Sequence, residues 1–320
     1  VQRCNRCNRG VNQMPAAITH LFLGHDVQAR VPGEGPAPGS CQQLFLLGNQ
    51  GPDPFFYALR TTSLVKLKQF GHNMHMERVT ATIDSMRRYL ASLPDEQRLP
   101  TDAYIRGFLC HFALDSIAHP LVIAQELDIC NAGVDGLGPE DRSVVHGQIE
   151  AELDAMMVNY QASVGLQAPS ASPAFGLAAR RADLALIDQM YAQVAAEVFD
   201  LRLPVGAFGR CVRDMRATLN LLYGRGSRRR GVIVGLERLF RRHSLVQAMS
   251  RHDEVGKTCD FDNHEGNVWV NPFNGEISMD SFLELYYKAR DRAITILDDH
   301  EALAPTEQLT RGLNFEGRKI

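Results

Sequence analysis

Polar and apolar residues along this chain repeat mostly with the period of a helix, and that period locates most of its elements. Helical patterning is expected over Thr19–Arg30, over Thr61–Leu93 as two helices broken near Gly71, and over Glu140–Tyr160. Further helices are expected at Ala178–Phe199, Gly209–Tyr223, Gly231–Arg242 and Met279–His300. Between Ala103 and His119 the run AYIRGFLCHFALDSIAH is apolar on nearly every side, the pattern of a helix buried all round. It is expected to end at His119, because Pro120 disfavours helical geometry in the residue before it.

Gly and Pro mark the connections. These are Val31–Ser40, Cys130–Pro139 and the dense turn Gly48-Asn49-Gln50-Gly51-Pro52-Asp53-Pro54, which follows the short apolar run Leu44–Leu47. Gln161–Gly176 is small and polar and reads as a long connection, and Thr258–Ile277 as an irregular excursion. With no repeats and no convincing strand pairs, the fold class is all-α. Residues 1–13 are polar and basic without periodicity and read as a disordered or non-native leader. Residues 14–160 form a helical core, and residues 161–320 a helical half packed on it in one continuous domain.

Composition narrows the function classes. At 45% apolar and 22% charged, the 320 residues can bury a substantial core. A net charge of −3 argues against a dedicated nucleic-acid binder. No run approaches the roughly eighteen apolar residues of a membrane span, and no export signal is legible at the start, so a cytoplasmic location is expected. Seven irregularly spaced cysteines read as reduced thiols. Cys4-Asn-Arg-Cys7 has CxxC spacing, but it has no second pair nearby and belongs to the leader. Between Arg210 and Arg251 there are eleven arginines against Asp214 and Glu237, including Arg228-Arg229-Arg230. Such a patch suits a peripheral anionic membrane surface or a solvated face balanced elsewhere. Its sparse aromatics speak against a base-stacking groove, and no stable nucleic-acid partner is expected.

The candidate chemistry lies in the placement of histidines and acids. His111 and Asp115 are four residues apart on the apolar helix, so they share a face. A carboxylate buried there costs several kcal/mol unless compensated, and a bound cation compensates it. His146 and Glu150 repeat the spacing on the next amphipathic helix. His119 projects from the expected helix end toward the same region, and Asp53 offers a carboxylate from irregular backbone. Imidazole with carboxylate suits zinc. A di-iron bundle would need Glu three residues before His twice, and no histidine here has it. His25-Asp26 and His252-Asp253 offer the doublet of an HD-type phosphohydrolase, which would leave the two spaced pairs without a role.

These residues give the chain a resemblance to a known family. Thr19-His20 with Gly24-His25, Gly51-Pro52-Asp53, Met74-His75-Met76-Glu77, His111 to Asp115, His119-Pro120 and His146 to Glu150 come in one order across residues 14–155. Together they resemble the zinc-dependent phospholipase C family, including the amino-terminal domain of glycosylphosphatidylinositol-specific phospholipase D. More distantly they are similar to zinc single-strand nucleases. The likeness extends to small unexported bacterial members that begin Met-Pro.

The resemblance implies an all-helical bundle around two to three zinc ions. One ion would take Asp53, His75, His111 and Asp115, and a second His119, His146 and Glu150. A third would take His20, the other oxygen of Asp115 and the amine of a mature terminus at Pro15, which requires residues 1–13 to be absent from the working enzyme. His72 stands one turn before His75 as the competing ligand. Asp53 doubles as ligand and base toward the attacking water. The expected substrate is a phospholipid headgroup or a related phosphodiester. A single-strand nuclease and a metal-stabilised helical binding module without turnover are the alternatives.

Overall fold

The structure, a computed structural model, describes residues 17–30, 40–133, 136–164, 177, 179–223 and 260–320. Its helices are α1 (Ala17–Gln28), α2 (Ser40–Gly48), α3 (Leu64–Met76), α4 (Val79–Ser92), α5 (Asp95–Ala132), α6 (Arg142–Ser163), α7 (Arg181–Phe199), α8 (Ala207–Tyr223), α9 (Phe282–Glu301) and α10 (Thr306–Thr310). A short 3-10 turn covers Asp53–Tyr57. The all-α expectation holds. One exception is a two-stranded antiparallel ribbon, β1 (Trp269–Val270) with β2 (Ile277–Ser278), inside the segment expected to be irregular. Strands of two residues are too short for alternation to register in a sequence.

α5 is the axis of the molecule. α2 packs along one side of it, α9 along another, and α1 and α6 complete the surround. The crossing of α2 and α5 is backbone against backbone. A Cβ on Gly48 would stand 2.1 Å from the Tyr104 carbonyl oxygen, and one on Gly107 would stand 2.1 Å from that of Phe45. Two glycines therefore let the turn after α2 reach the middle of α5. α5 is long and apolar enough to cross a membrane, yet 89% of its most apolar window is buried inside the protein.

Two boundaries depart from the sequence reading. α5 does not stop at His119 but runs through Pro120 to Ala132, where Gly133 caps it at φ 66°. Proline removes the amide that would bond the Ser116 carbonyl; burial of Leu121, Val122 and Ile123 offsets that loss. The break expected near Gly71 falls instead at Glu77–Arg78, with Arg78 at φ 56°. Gly71 is small for a packing reason, since a Cβ there would lie 2.9 Å from Cβ of Phe55. The expected helix over Gly231–Arg242 lies outside the described residues, as do residues 1–13, Cys4, Cys7 and Cys259.

Candidate metal centre

Five separate elements deliver the candidate ligands. His111, Asp115 and His119 succeed one another at four-residue steps on α5, so the continuation of that helix through Pro120 keeps all three on one stripe. His146 and Glu150 stand one turn apart on α6, His75 lies in the last turn of α3, and His20 in the first turn of α1. Asp53 opens the 3-10 turn behind Pro52. Gly51, at φ 50°, admits the His111 ring, because a Cβ at that position would stand 2.3 Å from its Cδ2.

All eight side chains converge. His75 Nε2 is 3.0 Å from Asp53 Oδ1, His111 Nε2 3.1 Å from Asp115 Oδ2, and His20 Nε2 3.1 Å from Asp115 Oδ1. His146 Nε2 is 3.2 Å and His119 Nε2 3.5 Å from Glu150 Oε1. The two sets meet at Asp115, whose Oδ1 is 3.9 Å from His119 Nε2. Three groups could each hold a cation: His20 with His111 and Asp115, Asp53 with His75 and His111, and His119 with His146 and Glu150. His20 stacks on His111 with ring centroids 4.1 Å apart.

The hydrogen bonds on the far side of each ring decide what these contacts mean. His75 donates Nδ1–H to the Gly71 carbonyl at 2.9 Å, His111 to that of Asn49 at 3.0 Å, and His119 to that of Phe315 at 2.9 Å. His146 donates to Glu126 Oε2 at 2.9 Å. A carbonyl only accepts, so in the neutral ring Nε2 carries a lone pair. That lone pair faces a carboxylate oxygen, acceptor against acceptor. Only a proton or a cation between them relieves the repulsion.

Among the buried atoms with no hydrogen-bond partner are His111 Nε2, both oxygens of Asp53 and Glu150 Oε2. Two ligands at about 2.0–2.1 Å from one tetrahedral zinc stand roughly 3.3 Å apart, close to the separations found here. The donor set is nitrogen and carboxylate oxygen, and four of the five imidazoles, all but His20, are held by an outer partner, which is how zinc ligands are oriented. The residues fit zinc.

Electrostatics separates the rings. Burial lowers His75 and His111, and the nearby Asp115 only partly offsets it. Burial also opposes charge on His119, but Asp115 and Glu150 outweigh it and raise this group to about 9. His146, between Glu150 and Glu126, is raised to about 10 against the same opposition from burial. Burial pushes Asp53 well above the usual carboxylate range, with His111 countering and Asp115 adding to it. Asp115 moves the other way: burial raises it, but His111, His119 and His20 hold it well below.

Of the two histidines competing on α3, the structure brings His75 to the centre, while His72 is in none of the cation-capable groups. His25 and Asp26 also stand apart from them; Asp26 accepts from the Tyr286 hydroxyl at 2.8 Å. His300 pairs with Asp102 at 3.0 Å. Pro15, His243, His252 and most of the Arg210–Arg251 region, including Arg228-Arg229-Arg230, lie outside the described residues.

Three contributors escaped the sequence reading. Glu126 links His146 to Arg142. It lies on α5 seven residues after His119, two turns along the same face, and that spacing is a usable signal. Asp154 extends the His146–Glu150 stripe by one more turn. It accepts from the amides of Ile18 and Thr19, at 3.1 and 2.8 Å, and from the Thr19 hydroxyl at 2.7 Å, which ties the start of α1 to α6. Phe315 acts through its backbone carbonyl, which no side-chain pattern announces.

No curated protein and no solved structure matches the chain. The sequence model of the family described as zinc dependent phospholipase C does match, over residues 19–201, more than half of the chain. That span starts one residue before His20 and contains Asp53, His75, His111, Asp115, His119, His146 and Glu150. A helical scaffold, a buried centre suited to zinc and this match agree, and the chain belongs to the zinc-dependent phospholipase C family.

Proposed function

We propose that the protein is a zinc-dependent phosphodiester hydrolase that cleaves phospholipid headgroups or closely related diesters with an activated water. The observation that carries this reading is the convergence of eight nitrogen and oxygen ligands, seven of them buried, from five elements, with acceptors facing one another across ion-sized gaps. Asp53, His75, His111 and Asp115 would hold one ion, and His119, His146 and Glu150 another. His20 would share Asp115 in a third position.

Zinc bound there would lower the pKa of a coordinated water toward about 7 and offset the negative charge of the phosphodiester. The protein's own groups direct the chemistry. Asp53 is the base: its Oδ2 has no hydrogen-bond partner in the protein, so that oxygen is open to the attacking water. It takes the proton of that water. Gly71, Asn49, Phe315 and Glu126 hold His75, His111, His119 and His146 in one tautomer, so these four rings need not reorient during turnover. Phe56 and Phe315 pack at a tilt against His75, at 5.1 and 4.9 Å between centroids, and keep bulk water from the deep side.

The test combines elemental analysis for zinc with two assays on the same preparation. One follows release of a chromophore from a phosphorylcholine ester and of diacylglycerol from phospholipid vesicles, and the other digestion of single-stranded DNA. Bound zinc with headgroup release supports the proposal. Digestion of DNA without headgroup release replaces it with a nuclease. Zinc with neither activity replaces it with a metal-stabilised binding module.

A further inference from the structure

Segment 311–320 lies far outside the span that matches the family, yet it closes over the centre. After α10, Arg311 and Gly312 turn the chain at φ 52° and 67°. A tight loop follows, closed by the Asn314 amide on the Arg318 carbonyl at 2.8 Å and by a bridge between Leu313 and Lys319. The Asn314 side chain accepts from the amides of Glu316 and Arg318 at 3.0 and 2.9 Å, and it donates to the Met76 carbonyl at 3.3 Å. Asn314 and Phe315 are fully buried.

Phe315 joins two ligand-bearing helices. Its amide donates to the His75 carbonyl at 3.1 Å, at the end of α3. Its own carbonyl accepts Nδ1–H of His119 at 2.9 Å, on α5. Its ring packs against His75, His111, Phe108 and Phe112, with centroids 4.9 to 5.7 Å away. Two residues on, Gly317 backs onto the carbonyl of Ser116, the one Pro120 deprives of its helical partner. A Cβ on Gly317 would stand 2.4 Å from that oxygen, and the residue sits at φ 76°. The irregularity in α5 and the glycine in the loop are two sides of one docking site.

We infer that segment 311–320 is a positioning element of the metal centre, with the Phe315 carbonyl setting the tautomer and ring orientation of His119. Side chains of the other four histidines are at most 6% exposed, whereas that of His119 is 15% exposed, so packing holds it least. Its hydrogen bond to Phe315 leaves Nε2 as the lone-pair atom and aims it at Glu150 and Asp115. The inference rests on the zinc reading above. Loss of an outer partner of this kind lowers metal affinity by about 10- to 100-fold.

The experiment compares the full chain, a chain ending at Gly312, and Gly317→Ala in the full chain. Gly317→Ala blocks docking by its Cβ and keeps every other residue. Zinc affinity is measured by competition with a chromophoric chelator, and cobalt substitution reports the ligand field by visible absorption. In both variants one class of zinc should weaken by about 10- to 100-fold, the cobalt spectrum should change, and excess zinc should restore hydrolysis. In a His119→Ala background, Gly317→Ala should cost nothing further, because the ring it positions is gone. If the shortened chain fails to fold, Gly317→Ala carries the test. Unchanged zinc affinity in folded Gly317→Ala, or full additivity with His119→Ala, overturns the inference and leaves the hydrolase reading intact. A full chain that binds no zinc sinks both.

Discussion

In the deep half of the centre, His75 and His111 donate Nδ1–H to the neutral carbonyls of Gly71 and Asn49, whereas in the outer half His146 donates to the carboxylate of Glu126. His119, also in the outer half, donates to the Phe315 carbonyl, so it is the acids around each ring that set its charge. Burial wins in the deep half and lowers both histidines, so they stay neutral and face Asp53 and Asp115 as lone pairs. Carboxylates win in the outer half and hold His119 and His146 at about 9 and 10. Without metal the outer half can therefore neutralise itself with protons. The deep half is left with unpaired acceptors in a dry interior, which a bound cation satisfies.

Removing zinc should expose that difference most strongly. A ligand held at about a thousand times its Kd stabilises the folded state by about 4 kcal/mol. Chelation is expected to abolish hydrolysis and to lower the Tm by several degrees in calorimetry. Equal Tm values with and without chelator would mean that the deep half needs no cation. Next in size, Asp53→Asn should lower kcat by about 10²- to 10⁴-fold, the usual contribution of a general base, while elemental analysis still finds most of the zinc. Full turnover in that variant removes the base assignment.

The deep half was also the less legible one. The i to i+4 spacing of His111 with Asp115 and of His146 with Glu150 is written in helical periodicity, because neighbours on one face recur every four residues. Asp53 stood out by its turn. His20 and His75 are legible only through the family resemblance, since the acids that each one faces lie far away in sequence. The Pro120 rule failed because a local backbone preference of this kind yields to the burial of a whole apolar segment. Gly71 looked like a breaker and is a packing residue. The Phe315 contact spans 196 positions and involves only backbone on one side, so periodicity and motif carry no trace of it.

Glu126→Gln separates the halves by chemistry rather than by removing a ligand. The amide keeps the shape but loses the charge that pairs with His146 and Arg142. Zinc at the outer half should weaken by about 10- to 100-fold, as for other partners of ligating histidines. Zinc at the deep half should be unaffected, because Gly71 and Asn49 still orient its rings. Competition titration with a chromophoric chelator should then resolve two classes of site where the native chain shows them closer together. Parallel weakening of both classes would show that the halves act as one cluster coupled through Asp115.

The last expected effect is on the chelated protein, and it gives the comparison a sign. His119 and His146 have folded-state values of about 9 and 10, above the ordinary 6.5. Between those limits the folded state binds more protons than the unfolded one, so stability must fall as pH rises. Their contribution is complete below about 6.5 and is lost through 9 and 10. His75 and His111 are lowered, so their contribution is complete above 6.5 and is lost as pH falls through their folded-state values. Urea unfolding of the chelated chain from pH 5 to 10 should show both limbs. Replacing His119 and His146 together by Ala should flatten the alkaline limb and leave the acid one. An alkaline limb that survives the replacement would place those protons elsewhere in the molecule and end the distinction between the two halves.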